Sequence, residues 1–121
     1  MKKSVLLSLL FILIATFSLL ANKTSVKINA PSEVKSGTEI TIVINVSHNG
    51  NSKMHHTDWV YLKINGVEVK RWKYDKNSLP PDGNFTVEFK YVINQDVTIE
   101  AEGNCNLHGT TGPDKKTIKT I

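Results

Sequence analysis

The residues best suited to chemistry in this 121-residue chain are its four histidines and its single cysteine, which fall in two short segments. Residues 47–59 carry three histidines, and residues 103–109 carry the fourth histidine and the cysteine. The histidines are His48, His55, His56 and His108, and the cysteine is Cys105. Imidazole and thiolate are ligands that borderline and transition metals favour, and a Cys-x-x-His turn lets a sulfur and a nitrogen face one ion. The two segments together predict a metal site.

Each of these residues also has a simpler interpretation. His55 and His56 are adjacent, so on an extended chain they point in opposite directions and only one easily reaches a given ion. We expect His56 to be a surface residue that points away from the site. Cys105 has no second cysteine to pair with, which leaves a metal ligand, a reactive thiol, an intermolecular bridge or an inert core position. Trp59 and Tyr61 alternate on the following strand and are interpreted as core or as a wall of the site.

The start of the chain has the layout of a secretory signal peptide. A basic Met-Lys-Lys is followed by a largely apolar run over residues 5–21, and the sequence then turns polar. We therefore predict a signal peptide over residues 1–21 and a mature domain over residues 22–121, with cleavage leaving a first residue between 19 and 23. The expected location is the periplasm, and an uncleaved membrane anchor is the alternative.

Composition and charge narrow the class of protein. Hydrophobic residues make up 40% and charged residues 21% of the chain, which is typical of one globular domain. The net charge of +4 comes without an arginine-rich stripe or a run of stacking aromatics, so we expect no nucleic-acid partner. Phosphate loops, dinucleotide fingerprints and nucleophile-elbow motifs do not occur in the sequence.

The elements that must position the histidines and the cysteine are strands. Alternating apolar and polar residues are clearest over Glu39 to Val46, and Asn65-Gly66 between two β-rich runs predicts a tight hairpin. The predicted strands cover residues 26–28, 39–46, 57–64, 67–72, 85–91, 97–102 and 117–121. About seven short strands with frequent turns predict an all-β, immunoglobulin-like antiparallel sandwich. In such a sandwich, loops that follow different strands can meet at one pole.

The motif Cys105-Asn106-Leu107-His108-Gly109 closely resembles the C-terminal signature of the superoxide reductases, the desulfoferrodoxin and neelaredoxin family. The upstream segment is similar as well, since His48, His55 and Trp59 match the family's two histidines and the aromatic residue that follows them. The resemblance covers roughly residues 26–121 and implies an immunoglobulin-like sandwich, in agreement with the strand pattern.

The resemblance also implies a cofactor and an activity. Family members hold non-haem iron, Fe2+ or Fe3+, with four equatorial imidazoles, one axial thiolate and an open sixth position, and they reduce superoxide to hydrogen peroxide. Carried over to this chain, the equatorial ligands are His48, His55 and His108, and the axial ligand is Cys105. The electron donor is unknown, and the formation of a homo-oligomer is left open.

One departure from the family pattern keeps other functions open. The family's fourth imidazole comes from an N-terminal Glu-Lys-His segment whose lysine attracts and protonates the substrate, but residues 22–47 contain no histidine. Lys53 is the candidate to steer the anion instead. We therefore expect weaker iron binding than in members with four histidines. The second hypothesis is a non-catalytic metal-binding or redox-carrier module that takes zinc or copper, and the third is a carrier or adhesion-type sandwich that uses Cys105 as a free thiol.

Overall fold

Eight strands form the whole of the regular structure in the described part of the chain. The computed structural model describes residues 22–121, so the predicted signal peptide lies outside the described residues. The strands are β1 (Ser25–Asn29), β2 (Glu33–Val34), β3 (Thr38–Ser47), β4 (Thr57–Ile64), β5 (Val67–Lys73), β6 (Asn84–Ile93), β7 (Val97–Cys105) and β8 (Asp114–Thr120). Across residues 22–121 there is no helix with the length and apolar character needed to cross a membrane.

The strands pair into two sheets, and the predicted all-β sandwich is confirmed. One sheet has the order β1-β3-β6 and the other has the order β2-β8-β7-β4-β5. Neighbouring strands are antiparallel, apart from the two-residue β2, which pairs parallel with the end of β8. Strand β2 was not predicted, because two residues are too few to show a period of alternation.

The hairpin between β4 and β5 also agrees with its prediction. Asn65 and Gly66 have φ values of 51° and 81°, the left-handed conformation that both central residues of a type I′ turn require. Asn65 further fixes the turn to β7, because its side-chain Oδ1 accepts a hydrogen bond of 3.0 Å from the backbone N–H of Thr98.

The core lies between the two sheets and follows the alternation in the sequence. On β3 the alternate residues face inward, and on β4 and β7 the inward residues oppose them. The most completely buried of these side chains are Ile42, Ile44, Val46, Val60, Leu62, Ile99 and Ala101. Burial of each large aliphatic side chain contributes about 1.5–3 kcal/mol, so the core holds the ends of the strands in fixed positions.

Strand register brings the two histidine- and cysteine-bearing segments to one pole. Thr57 at the start of β4 pairs with Cys105 at the end of β7. Ser47 at the end of β3 pairs with Ser25 at the start of β1, and His48 follows directly. The strand predicted over residues 97–102 extends further than expected: Cys105 is the last residue of β7, because its pairing with Thr57 continues the ladder that far.

Candidate metal centre

Four side chains that the sequence analysis singled out lie together at this pole. Ligand atoms of His48, His55 and Cys105 all lie within 4.8 Å of one another. His108 joins them, since its Nδ1 lies 3.1 Å from His55 Nε2 and 3.8 Å from Cys105 Sγ. The rings of His48 and His55 meet edge to face with centroids 4.8 Å apart, as do those of His55 and His108.

The Cys105–Gly109 turn sets the positions of the thiol and one imidazole. Cys105 and Gly109 exchange two backbone hydrogen bonds of 2.8 and 3.0 Å, which close the turn. Gly109 has a φ of 83°, which glycine adopts readily. The backbone N–H of His108 donates to Cys105 Sγ at 3.4 Å. The turn therefore holds the sulfur and the His108 imidazole side by side.

The segment that carries the other histidines is tied down by Asn51. Its Nδ2 donates to the carbonyl of Asp82, and its Oδ1 accepts a hydrogen bond of 2.8 Å from the backbone N–H of Thr57. The same Oδ1 lies 3.3 Å from His48 Nδ1. In the neutral tautomer with its proton on Nδ1, His48 donates to this Oδ1, and the lone pair on Nε2 is then free to bind a metal. An outer partner of this kind orients a metal-binding imidazole.

Asn106 joins the two segments to each other. Its backbone N–H donates to the carbonyl of His56 at 3.0 Å, and its Oδ1 accepts from the backbone N–H of His56 at 3.0 Å. Its Nδ2 donates to the carbonyl of Met54 at 3.2 Å. Sequence reasoning did not assign Asn51 or Asn106 a role, since asparagine is common in loops and nothing in its spacing distinguishes a positioning residue.

The expectation that His56 is a surface residue is wrong. His56 is only 6% exposed, and its Nδ1 lies 2.9 Å from the carbonyl oxygen of Ser52. It is not part of the cluster formed by His48, His55 and Cys105. His56 therefore supports the turn from Ser52 to His55, which is closed by backbone hydrogen bonds between those two residues.

Electrostatics at the centre favour the neutral form of His55. Burial lowers the pKa of His55, and positive charge on His48 and His108 lowers it further. A neutral imidazole has a lone pair to offer to a metal, whereas an imidazolium does not. The surroundings of His55 therefore favour the protonation state in which it can act as a ligand.

Two other features singled out in the sequence are not among the ligand atoms of the cluster. Lys53 is exposed on the turn between Ser52 and His55. Trp59 and Tyr61 stack with ring centroids 5.6 Å apart, and the guanidinium of Arg71 lies over both rings. Trp59 and Tyr61 belong to the outer face of the five-stranded sheet. The residues that alternate with them along β4, Val60 and Leu62, point into the core.

The donor set fits a metal ion. Two nitrogens that each bind one ion at about 2.0–2.1 Å lie about 3 Å apart when their bonds meet at a right angle. The 3.1 Å between His55 Nε2 and His108 Nδ1 agrees with that spacing. Three imidazoles and one thiol suit iron, and the same donors suit zinc or copper.

The fold and the site define a class: an immunoglobulin-like sandwich with a candidate histidine and cysteine metal centre at one pole. The family model for desulfoferrodoxin matches residues 18–111. The chain therefore belongs to the desulfoferrodoxin family, which confirms the resemblance seen in the sequence.

Solved structures agree with this assignment. A superoxide reductase (neelaredoxin) from Ignicoccus hospitalis is 26% identical with a TM-score of 0.67, and the match covers 82% of this chain and 83% of that one. A variant of the same protein is 27% identical with a TM-score of 0.67, covering 84% and 83%. The CARDB domain of a Pyrococcus furiosus protein, solved with two metal ions, shares the fold at 16% identity and a TM-score of 0.61, covering 84% and 96%. No curated protein matches the sequence.

Proposed function

We propose that this protein is an exported superoxide-reductase-like iron protein that reduces superoxide to hydrogen peroxide. The observation that carries the proposal is the convergence of His48, His55, His108 and Cys105 at one pole of a desulfoferrodoxin-family sandwich. Bound ferrous iron would supply one electron to superoxide, which takes up two protons to become hydrogen peroxide.

The chain's residues would divide the work of holding this ion. Cys105 is 1% exposed and would hold the ion from the interior side as a thiolate, stabilised by the N–H of His108. His108 itself is exposed, so the solvent side of the centre is where a small anion would arrive. The hydrogen bond to Asn51 would keep His48 turned with Nε2 toward the ion.

Lys53 is the proposed steering residue for the anion. Its ammonium group is exposed on the turn that ends at His55, so its charge adds to the potential near the solvent side of the centre. Superoxide is an anion, and a positive potential raises its rate of encounter. The electron donor that returns the iron to the ferrous state is not identified.

A non-catalytic metal module is the second candidate function. It is favoured by the absence of histidine from residues 22–47, where family members place their fourth imidazole. Three imidazoles and one thiolate could hold zinc in a closed tetrahedral site with no position for superoxide.

Metal analysis of protein isolated from the host separates the two functions. For the superoxide-reductase-like function we expect iron bound in proportion to protein, with a thiolate-to-ferric charge-transfer band after oxidation. Stoichiometric zinc, with iron unable to displace it, would favour the metal module.

Sequencing the N-terminus of the same preparation tests export: a first residue between 19 and 23 supports it, and an intact Met1 recovered from the cytosol contradicts it.

A further inference from the structure

Strand β6 has one long edge without a partner strand. Its ten residues pair with β3 in an unbroken register, and no other strand among residues 22–121 pairs with its opposite side. The strand contains neither proline nor a bulge, two features with which proteins commonly block a sheet edge. A row of unpaired backbone N–H and C=O groups of this length is a template for pairing with another strand.

The other edges of the two sheets are capped, short or irregular. At the edge of β1, the Ile28 N–H donates to Asp114 Oδ2 at 2.8 Å, and Lys116 Nζ donates to the carbonyl of Ala30. Strand β2 has only two residues, and the pairing of β5 with β4 is interrupted by a shift in register. Among the described strands, β6 therefore has the edge most open to a partner.

The hydrogen-bond pattern decides which groups β6 presents at this edge. The His48 N–H donates to the carbonyl of Gly83 at 3.0 Å, one position beyond the β3–β6 ladder. Because bonded pairs recur at every second residue of an antiparallel ladder, the odd-numbered residues of β6 bond to β3. The backbone groups of the even-numbered residues face the free edge. The side chains of these residues are exposed on the outer face of the sheet: Asn84, Thr86, Glu88, Lys90 and Val92.

Charge selects one register in which two copies of this edge can pair. A two-fold axis perpendicular to the sheet pairs them antiparallel, with both apolar faces on the same side, and hydrogen bonding then requires even-numbered residues to face even-numbered ones. An axis at Glu88 or at Lys90 sets like charges opposite each other, which is destabilising. An axis at Phe89 sets Glu88 of each copy opposite Lys90 of the other. Among the described residues, neither Glu88 nor Lys90 forms a salt bridge within one copy.

The same register covers apolar surface on the inner face of β6. Phe89 and Tyr91 are only partly buried at the border of the core, whereas Phe85 and Val87 are buried. With the axis at Phe89, the two Phe89 side chains form a cross-strand pair without hydrogen bonds, the kind in which side chains approach most closely. Tyr91 of each copy lies opposite Val87 of the other, so both partly buried rings gain apolar neighbours.

We propose that two copies of this chain form a dimer by antiparallel pairing of their β6 edges about Phe89, with reciprocal ion pairs between Glu88 and Lys90. The two three-stranded sheets then join into one sheet of six strands. None of the candidate metal ligands lies on β6, so each copy keeps its own centre and the dimer is independent of the proposed activity.

Sedimentation equilibrium of the purified mature protein, with charge-reversal variants, tests this register. Wild type should be a dimer. Glu88→Lys and Lys90→Glu each set like charges opposite each other twice, so each should raise the dimer dissociation constant by about tenfold or more. The double variant Glu88→Lys/Lys90→Glu should restore wild-type affinity, and an equimolar mixture of the two single variants should form a mixed dimer, because opposite charges face each other again in both.

A matched control separates the ion pairs from a general effect of charge. Lys119→Glu changes the charge as Lys90→Glu does, but lies at an exposed position on β8 in the other sheet, and should leave the dimer unchanged. Far-ultraviolet circular dichroism identifies any variant that does not fold, and the mixture of single variants is then compared with whichever of them is folded. A monomeric wild type, single variants that dimerise as wild type does, or a double variant as weak as the single ones would overturn the proposal.

Discussion

At the scale of single residues, the centre is built from ligand candidates and from the groups that orient them. Cys105 and His48 are buried and their neighbours are fixed by hydrogen bonds, whereas His108 reaches the solvent. The ring of His48 touches carbonyl oxygens at both nitrogens, through Asn51 and Asn22. The orientation of the His48 ring therefore depends on the side chain of Asn51 and on the main chain of Asn22.

Asn51 offers the sharpest test of an orienting role. Asn51→Leu removes the acceptor for His48 Nδ1 and for the Thr57 N–H, and we expect iron affinity to fall about 10–100-fold, as is common for outer partners of metal-binding imidazoles. Asn51→Asp keeps an acceptor oxygen and should lose much less affinity. The measurement is competition for iron against a chelator. Equal losses in the two variants would show that the acceptor oxygen is not what matters.

The proposed steering role of Lys53 can be tested by measuring the rate at which the protein reacts with superoxide. Lys53→Gln removes a positive charge near the site, so the second-order rate with superoxide should fall and should depend less on ionic strength. Iron content should stay at the wild-type level. Lys119→Gln, an exposed lysine on β8, is the matched control and should leave the rate unchanged. Equal effects of the two substitutions would remove Lys53 from the proposed role.

At the scale of elements, the strands act as a frame whose ends meet at the centre. Alternation in the sequence predicted the long strands and the β4–β5 hairpin, because a half-buried strand needs a period of two and a type I′ turn needs its special residues. The short β2 and the extension of β7 to Cys105 were not predictable, since pairing with a distant strand decides them. The contact between His48 and Asn22 joins residues 26 positions apart, so no local sequence pattern could predict it.

Residues at the start of β1 pack closely against β7, and this packing can be tested by a substitution. A Cβ at Gly103 would lie 2.8 Å from Thr24 Cγ2 and 3.1 Å from Val26 Cγ1. We expect Gly103→Ala to destabilise the fold by about 1–3 kcal/mol, because Thr24 is fully buried and cannot move aside freely. Since Thr24 also donates a hydrogen bond to Gly109 at the end of the Cys105–Gly109 turn, iron affinity should fall as well.

Urea unfolding of the apo form measures the first effect of Gly103→Ala, and chelator competition measures the second. Thr98→Ala, at an exposed position on the same strand, should change stability by no more than about 0.5 kcal/mol. If the free energy of unfolding of Gly103→Ala equals that of wild type, Thr24 and Val26 can move aside without destabilising the fold, which contradicts the prediction.

At the scale of the whole molecule, the outer face of the five-stranded sheet carries a charged network that responds to acid. The Tyr61 hydroxyl donates to Glu100 at 2.9 Å, and Lys115 and Lys63 lie 3.4 and 3.8 Å from its carboxylate. The hydrogen bond from Tyr61, followed by Lys115, lowers the pKa of Glu100 below its usual 4.5. Conversely, burial and the hydrogen bonds to Glu102 and Glu100 raise the pKa of Tyr61.

The lowered pKa of Glu100 fixes the direction of a pH effect on stability. Above about pH 4.5 the carboxylate is ionised in both states and its native contacts stabilise the fold. As the pH falls through the lower folded pKa, the unfolded state binds the proton more readily and this stabilisation is lost. Glu100→Gln should therefore be less stable at neutral pH and lose less stability on acidification.

Urea midpoints followed across the acid range measure this effect. Glu39→Gln, an exposed position on β3, should leave the acid profile unchanged. Parallel profiles for wild type and Glu100→Gln would show that the Tyr61 hydrogen bond contributes nothing.

The candidate site was largely predictable in its residue types and much less so in its surroundings. His48, His55, His108 and Cys105 stand out because ligand-type residues are concentrated in two segments, and the structure brings these four together. The burial of His56 could not be read from the sequence, since it depends on how the loop folds back on Ser52.

The proposed reduction of superoxide is measured by rapid mixing of the reduced, iron-loaded protein with superoxide. We expect oxidation that is first order in superoxide, one molecule of hydrogen peroxide per iron, no release of dioxygen and the appearance of a thiolate-to-ferric band. Cys105→Ser should lack that band, because no other sulfur lies in the cluster of ligand atoms. Iron-loaded wild type that does not react with superoxide, or that evolves dioxygen, would contradict a superoxide-reductase activity.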